Sequence, residues 1–260
     1  MPLSEKSIAV ITSFAVFLIW TLATYLLEGR LLTLQRPEAV LNRFIYAIVV
    51  NVLIGTVGSI ILIRFLLLHT GVSNPSLFGL IGPKRLILGI ALGLVLGLVF
   101  FFAQSFSSRH PILILNAYSQ VLVVSIAEVV VCWVLVGGSI ANLGKNPIYM
   151  FLAVIISSFL FGLYHFGHSP PFNSFKMVMM LSIVGLFTGV FYFLTRSIYG
   201  TILFHNFMGM KGVTDALADS GRIESFKSFQ IPIVATAIIA VVILIVLDVM
   251  LLRRAAGFQQ

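Results

Sequence analysis

Long apolar runs follow one another from end to end of the chain, broken by short stretches where glycine, proline, asparagine and charged residues collect. A helix crossing a bilayer needs about 20 mainly apolar residues. The pattern therefore predicts spans over Ile8–Leu27, Arg43–Leu68, Leu86–Phe106, Ser119–Gly137, Ile148–His168, Phe175–Leu194, a shorter Ser197–Gly212, and Gln230–Leu252. The expected fold is all-α: a polytopic membrane helix bundle of about eight transmembrane helices, forming one integral domain over residues 1–260. The first run is too long for a signal-peptide core and is expected to stay as a helix. Glu28–Asn42, which mixes charges with leucines around Pro37, predicts a connector lying in the membrane interface. The stretch between spans two and three is turn-rich, with Pro75, Gly79, Gly82 and Pro83. Val213–Phe229 holds three of the eight acidic residues and reads as a solvated loop.

Composition agrees with this pattern and removes alternatives. The chain is 60% hydrophobic and only 9% charged, against about 25% charged in soluble domains. Its formal charge of +8 would suggest nucleic acid on a soluble protein, but here the basic residues flank apolar runs, as at helix ends near anionic headgroups. No nucleic-acid function is expected. The single cysteine, Cys132, excludes an intrachain disulfide. Gly89, Gly93 and Gly97 fall at every fourth position, as do Gly185 and Gly189, and both sets predict close helix–helix approach rather than chemistry.

With the loops set aside, few groups capable of chemistry remain at depth. Glu128 is the lone carboxyl group in the Ser119–Gly137 run, near its middle, with Ser125 and Cys132 about one turn to either side. A charge there is costly and calls for a partner inside the protein. His165 and His168 end the fifth span before Pro170 and Pro171, and His205 and Asn206 sit at the centre of the seventh. A carboxylate converging with imidazoles in such a bundle can activate a water, hold a metal or relay protons. Against these stand plainer roles: a protonated structural carboxyl group at Glu128, a capping histidine at His165, an interhelical hydrogen bond at His205, and an interfacial histidine at His168. His168 is also a candidate to complete a metal site with Glu128 and His205. Asn206 follows His205 directly and should point roughly 100° away from it on a helix. Counted from the loop joining spans four and five, Glu128 and His165 differ in depth by roughly 9 Å if both helices stand upright, so their meeting requires tilt or a late start of the fifth span.

Three stretches together resemble the CAAX prenyl endopeptidase and bacteriocin-processing (CPBP, or Abi) family, whose signatures run AEExxxR, FxxxH and HxxxN in that order. Here Ala127-Glu128 opens the first, Phe161-Gly162-Leu163-Tyr164-His165 matches the second in full, and His205-Asn206-Phe207-Met208-Gly209 stands at the third. The resemblance covers residues 120–212. Val129 and Trp133 replace the second glutamate and the arginine of the first signature, and Gly209 replaces the asparagine of the third. The resemblance implies an eight-helix intramembrane endopeptidase in which Glu128 and His165 activate a water and His205, with Asn206, faces the oxyanion. It implies a membrane-associated peptide or prenylated protein as substrate and a multi-pass position in the cell membrane. No cofactor is assigned; a divalent metal such as zinc, held by Glu128, His165 and His205, stands as the open alternative to direct glutamate catalysis. The departures leave open a catalytically inactive relative acting as a membrane scaffold or partner-binding protein. A proton-coupled transporter with Glu128 as its protonation site is the third alternative, for which no internal repeat speaks.

Overall fold

The computed structural model describes residues 4–33, 36, 40–72 and 74–254. Among these residues all regular secondary structure is helical, without strands. The helices are α1 (Glu5–Gly29), α2 (Leu41–His69), α3 (Pro83–Ala103), α4 (Pro111–Ala141), α5 (Pro147–Tyr164), α6 (Phe175–Thr195), α7 (Ile198–Asp219) and α8 (Ile231–Arg253). Among the described residues seven helical segments are long and apolar enough to cross a membrane; α7 is not one of them. The chain is thus an integral, multi-pass membrane protein.

The helix starts follow from their first residues. Pro83, Pro111 and Pro147 each open a helix, where the missing N–H is no loss. Ser4, Asn146, Ser174 and Ser197 cap α1, α5, α6 and α7 by accepting from a free backbone N–H of the first turn.

α4 is the axis of the bundle. Its apolar window is 83% buried, whereas no other span exceeds 44%, because α1, α2, α5, α7 and α8 all pack on it. α7 lies between α3 and α4. The glycine face of α3 accounts for that placement: Gly93 meets Gly200 of α7 backbone to backbone, and a Cβ on Gly93 would lie 2.1 Å from the Gly200 carbonyl oxygen. The expected four-residue glycine repeat is therefore the α3–α7 seam.

Three boundaries differ from expectation. α4 runs past Gly137 and Gly138 to Ala141, since both glycines are packed inside the bundle and do not terminate the helix. α7 continues into the stretch expected to be a polar loop, through Asp219, with Thr214 and Leu217 buried. Its polar side is held by a Lys211–Asp215 pair one turn apart. The connector expected over Glu28–Asn42 is wrong at its first residue: Glu28 belongs to α1 and is fully buried. Residues 34, 35 and 37–39 of that stretch, Pro37 among them, lie outside the described residues.

Candidate active site

Glu128 stands seventeen residues from the start of α4 and thirteen from its end. From Val129 to Gly137 the helix widens into π-helical winding. Such winding is frequent at functional sites. The Glu128 side chain is buried, and it meets two of the three imidazoles that the sequence singled out. Its Oε2 lies 3.0 Å from His205 Nε2 on α7, and its Oε1 lies 3.6 Å from His165 Nε2 at the end of α5. α4 runs on to Ala141 and the next helix starts at Pro147, so the two residues stand 13 and 18 residues from the joining loop, and part of the expected depth difference disappears.

The outer nitrogens of both rings are anchored. His165 Nδ1 lies 2.8 Å from the Phe161 carbonyl, which can only accept, so Nδ1 carries a proton. A neutral His165 then turns the lone pair of Nε2 toward Glu128. His205 Nδ1 lies 2.8 Å from the Thr188 hydroxyl, which donates its own proton to the Val184 carbonyl. Thr188 thus accepts from His205, and one shared proton must lie between His205 Nε2 and Glu128. Phe161 and Trp133 pack edge-on around the His205 ring, at 5.0 and 5.3 Å between centroids. Trp133, where the family signature has arginine, is therefore an apolar wall behind the imidazole.

Asn206 is buried but turned away, as its neighbouring position predicted. It accepts from the Ser125 hydroxyl at 3.3 Å and donates to the Tyr118 carbonyl at 3.2 Å. It joins α7 to α4 and does not line the cavity beside Glu128. Gly209, one turn beyond His205, does line that cavity, and a Cβ there would sit 3.0 Å from Val121. Cys132 and Val129 are core residues.

The cavity has a volume of about 370 Å³. Glu128, His165, His168, His205 and Ser125 are among its polar lining, with Arg43 and Arg222 also lining it, and Val121, Val124, Leu181, Val184 and Met208 are among its apolar lining. Phe44 of α2 and Met180 of α6 also line it, and both are exposed on the outside of the bundle. The cavity thus communicates with the lipid-facing surface.

Sequence reasoning missed one site residue. Glu28 accepts from the backbone N–H of Ser169 at 2.9 Å and from the Ser169 hydroxyl, and its Oε2 lies 3.0 Å from His168 Nδ1. His168 does not meet Glu128 and His205: it is buried beside His165, 3.0 Å from a carboxylate of α1.

A metal makes a different demand. Zinc needs ligand nitrogens and oxygens converging at about 2.0–2.2 Å from one point. Here the two imidazoles address different oxygens of Glu128, one at hydrogen-bonding distance. Among the described residues no three His, Cys, Asp or Glu side chains converge as a metal group. The arrangement fits a hydrogen-bonded carboxylate–imidazole assembly rather than a metal cradle.

Residues 110–210, which contain all these groups except Glu28, match the family model described as type II CAAX prenyl endopeptidase Rce1-like. Comparison with curated proteins and with solved structures gives no match. The matched segment covers almost all of the stretch that resembled the CPBP family by its three signatures.

Proposed function

We propose, from the Rce1-like match of residues 110–210, that the chain is an intramembrane endopeptidase hydrolysing a peptide bond in a prenylated or otherwise membrane-associated peptide. One observation carries the proposal: Glu128, among the described residues the one carboxylate lining the cavity, is held between two imidazoles at 3.0 and 3.6 Å.

In this mechanism a water sits against Glu128 Oε1 and His165 Nε2 and directs one hydrogen to each acceptor. As its oxygen attacks the peptide carbonyl, one proton passes to this pair and is later returned to the leaving amine. His205, sharing its proton with Glu128 Oε2, keeps the carboxylate oriented and ionised and adds positive charge beside the tetrahedral intermediate. Asn206 acts on the oxyanion indirectly, by fixing α7 and so the position of His205. The lipid-facing opening past Phe44 and Met180 suits a substrate arriving sideways from the bilayer with an apolar chain attached. The cell membrane is the proposed location.

The test uses the purified full chain in lipid vesicles with a farnesylated fluorogenic peptide bearing a CAAX terminus. Glu128→Gln and His165→Ala should each lower cleavage by about 100-fold or more while the protein still unfolds cooperatively. Cleavage that survives both substitutions refutes the mechanism. A well-folded wild type that binds the peptide and never cleaves it would favour the scaffold alternative, which the residues at Val129, Trp133 and Gly209 motivate.

A further inference from the structure

The bundle buries a second carboxylate–imidazole pair beside the first, and the hydrolysis described above leaves it unused. Glu28 is 0% exposed. It reaches its partners because the ends of α1 and α5 are pressed together: a Cβ on Gly29 would lie 2.2 Å from the Gly167 carbonyl oxygen. Two Ser169 donors and the His168 ring converge on it, an arrangement suited to an ionised carboxylate, which only accepts. A carboxylate removed from water inside a membrane bundle calls for a positive partner, and the basic group in contact is His168.

As an imidazolium, His168 carries a proton on each nitrogen. Nδ1 lies 3.0 Å from Glu28 Oε2, an ion-pair distance without hydrogen-bond alignment, and Nε2 has no partner at all among the described residues, although the residue is only 6% exposed. His168 lines the same cavity as Glu128 and His165, its ring stacked on that of His165 at 5.1 Å between centroids. The oxyanion donors that the family signatures would supply are already engaged or missing. Both His205 nitrogens are taken up by Thr188 and Glu128, the Asn206 amide is on the Tyr118 carbonyl, and the position of the family's asparagine is Gly209.

We propose that His168, held as an imidazolium by Glu28, is a further catalytic residue that donates its Nε2 hydrogen to the oxyanion formed on the scissile carbonyl. The step is a hydrogen bond that strengthens as charge develops, with no transfer of the His168 proton. It rests on the endopeptidase reading above and supplies the donor that Gly209 does not.

The experiment compares His168→Ala, His168→Gln and Glu28→Gln with the wild-type full chain in vesicles. Two probes are used: the farnesylated CAAX peptide, and the same peptide with its scissile amide replaced by a phosphinate that mimics the tetrahedral oxyanion. Removing one such donor lowers turnover by about 100- to 1000-fold. His168→Ala should therefore lower kcat by that factor, with KM within about threefold, and weaken phosphinate binding in parallel. His168→Gln, whose amide still donates, should recover about tenfold or more of the loss. Glu28→Gln should fall between wild type and His168→Ala. If the alanine variant unfolds, the two glutamine variants carry the comparison. Wild-type cleavage with unchanged kcat in the His168 variants overturns this proposal alone, and so does an equal loss of affinity for both probes, which marks a packing role. A wild type that neither cleaves the peptide nor prefers the phosphinate overturns both this proposal and the endopeptidase reading.

Discussion

Replacing Gly93 by alanine tests whether the α3–α7 seam sets the geometry of the site. The new Cβ would lie 2.1 Å from the Gly200 carbonyl oxygen and 2.9 Å from Gly200 Cα, backbone atoms with no rotamer to move. Ordinary contact begins at 3.4 Å, so the two helices must part by up to about 1.3 Å. Overpacking of this kind costs about 1–3 kcal/mol. The larger consequence is local. His205 lies five residues beyond Gly200 on the same helix, and its Nε2 is 3.0 Å from Glu128. Moving α7 by about 1 Å away from α3 pushes it toward α4 and would carry that contact out of the 2.7–3.2 Å range of a good N–H···O bond. A misplacement of that size can lower turnover about 100-fold.

The assay pairs thermal unfolding in vesicles with cleavage of the farnesylated peptide. Gly58→Ala is the control, since a Cβ there meets its nearest atom, the Leu53 carbonyl oxygen, at 3.5 Å. The control should hold or gain up to about 1 kcal/mol from helix propensity and keep full activity. Gly93→Ala should lose both stability and activity. If it unfolds early yet cleaves at the wild-type rate, the link from seam to site is wrong. If neither property changes, the packing argument itself fails.

Three further substitutions follow from buried polar contacts. Asn116 donates to the Phe226 and Ser228 carbonyls, both at 2.8 Å, and accepts from the Gln230 N–H. Asn116→Ala should therefore cost about 2–4 kcal/mol and speed proteolytic cutting of the segment between α7 and α8. Asp248 is buried and accepts from Tyr199 at 2.8 Å and Arg253 at 3.1 Å. Arg253→Ala leaves it with the tyrosine alone and should cost about 2 kcal/mol, read as a lower unfolding midpoint that Asp248→Asn in the same chain partly restores. Tyr164→Phe keeps the stack on Trp20, whose ring lies 3.7 Å away, but removes the hydroxyl shared with Tyr46 and Thr24. It should cost about 1–2 kcal/mol without changing cleavage by more than a few fold.

What could be read in the sequence was what local chemistry determines. Glu128 stood out because one carboxyl group in a long apolar run has no local reason to be there. The α3 glycines stood out because a four-residue repeat marks a helix face whatever its partner. The turn of Asn206 away from His205 followed from helix geometry alone. Glu28 was misassigned for the opposite reason: the residues around it, Gly29, Arg30 and the stretch toward Pro37, resemble a membrane-surface connector. The groups that justify its burial, His168 and Ser169, lie 140 and 141 residues further on, where no periodicity can point. The extension of α7 to Asp219 was hidden because its polar residues look like a loop until Thr214 and Leu217 are seen to be buried.

The two carboxylates are linked by the manner in which α5 ends. In an α-helix, side chains three residues apart diverge by about 60°, whereas a 3₁₀ turn has three residues per turn and eclipses them. The chain makes that change at His165–Gly167, and the His168 N–H bonds back to the His165 carbonyl at 3.0 Å. The two rings are thereby brought into a stack facing one cavity, the first toward Glu128 of α4 and the second toward Glu28 of α1. An α-helical continuation would have carried His168 around the helix and left Glu28 buried without its countercharge. The burial of Glu28 and the tightened end of α5 therefore require each other. That mutual dependence explains how an acidic residue can be buried in the last turn of the first span.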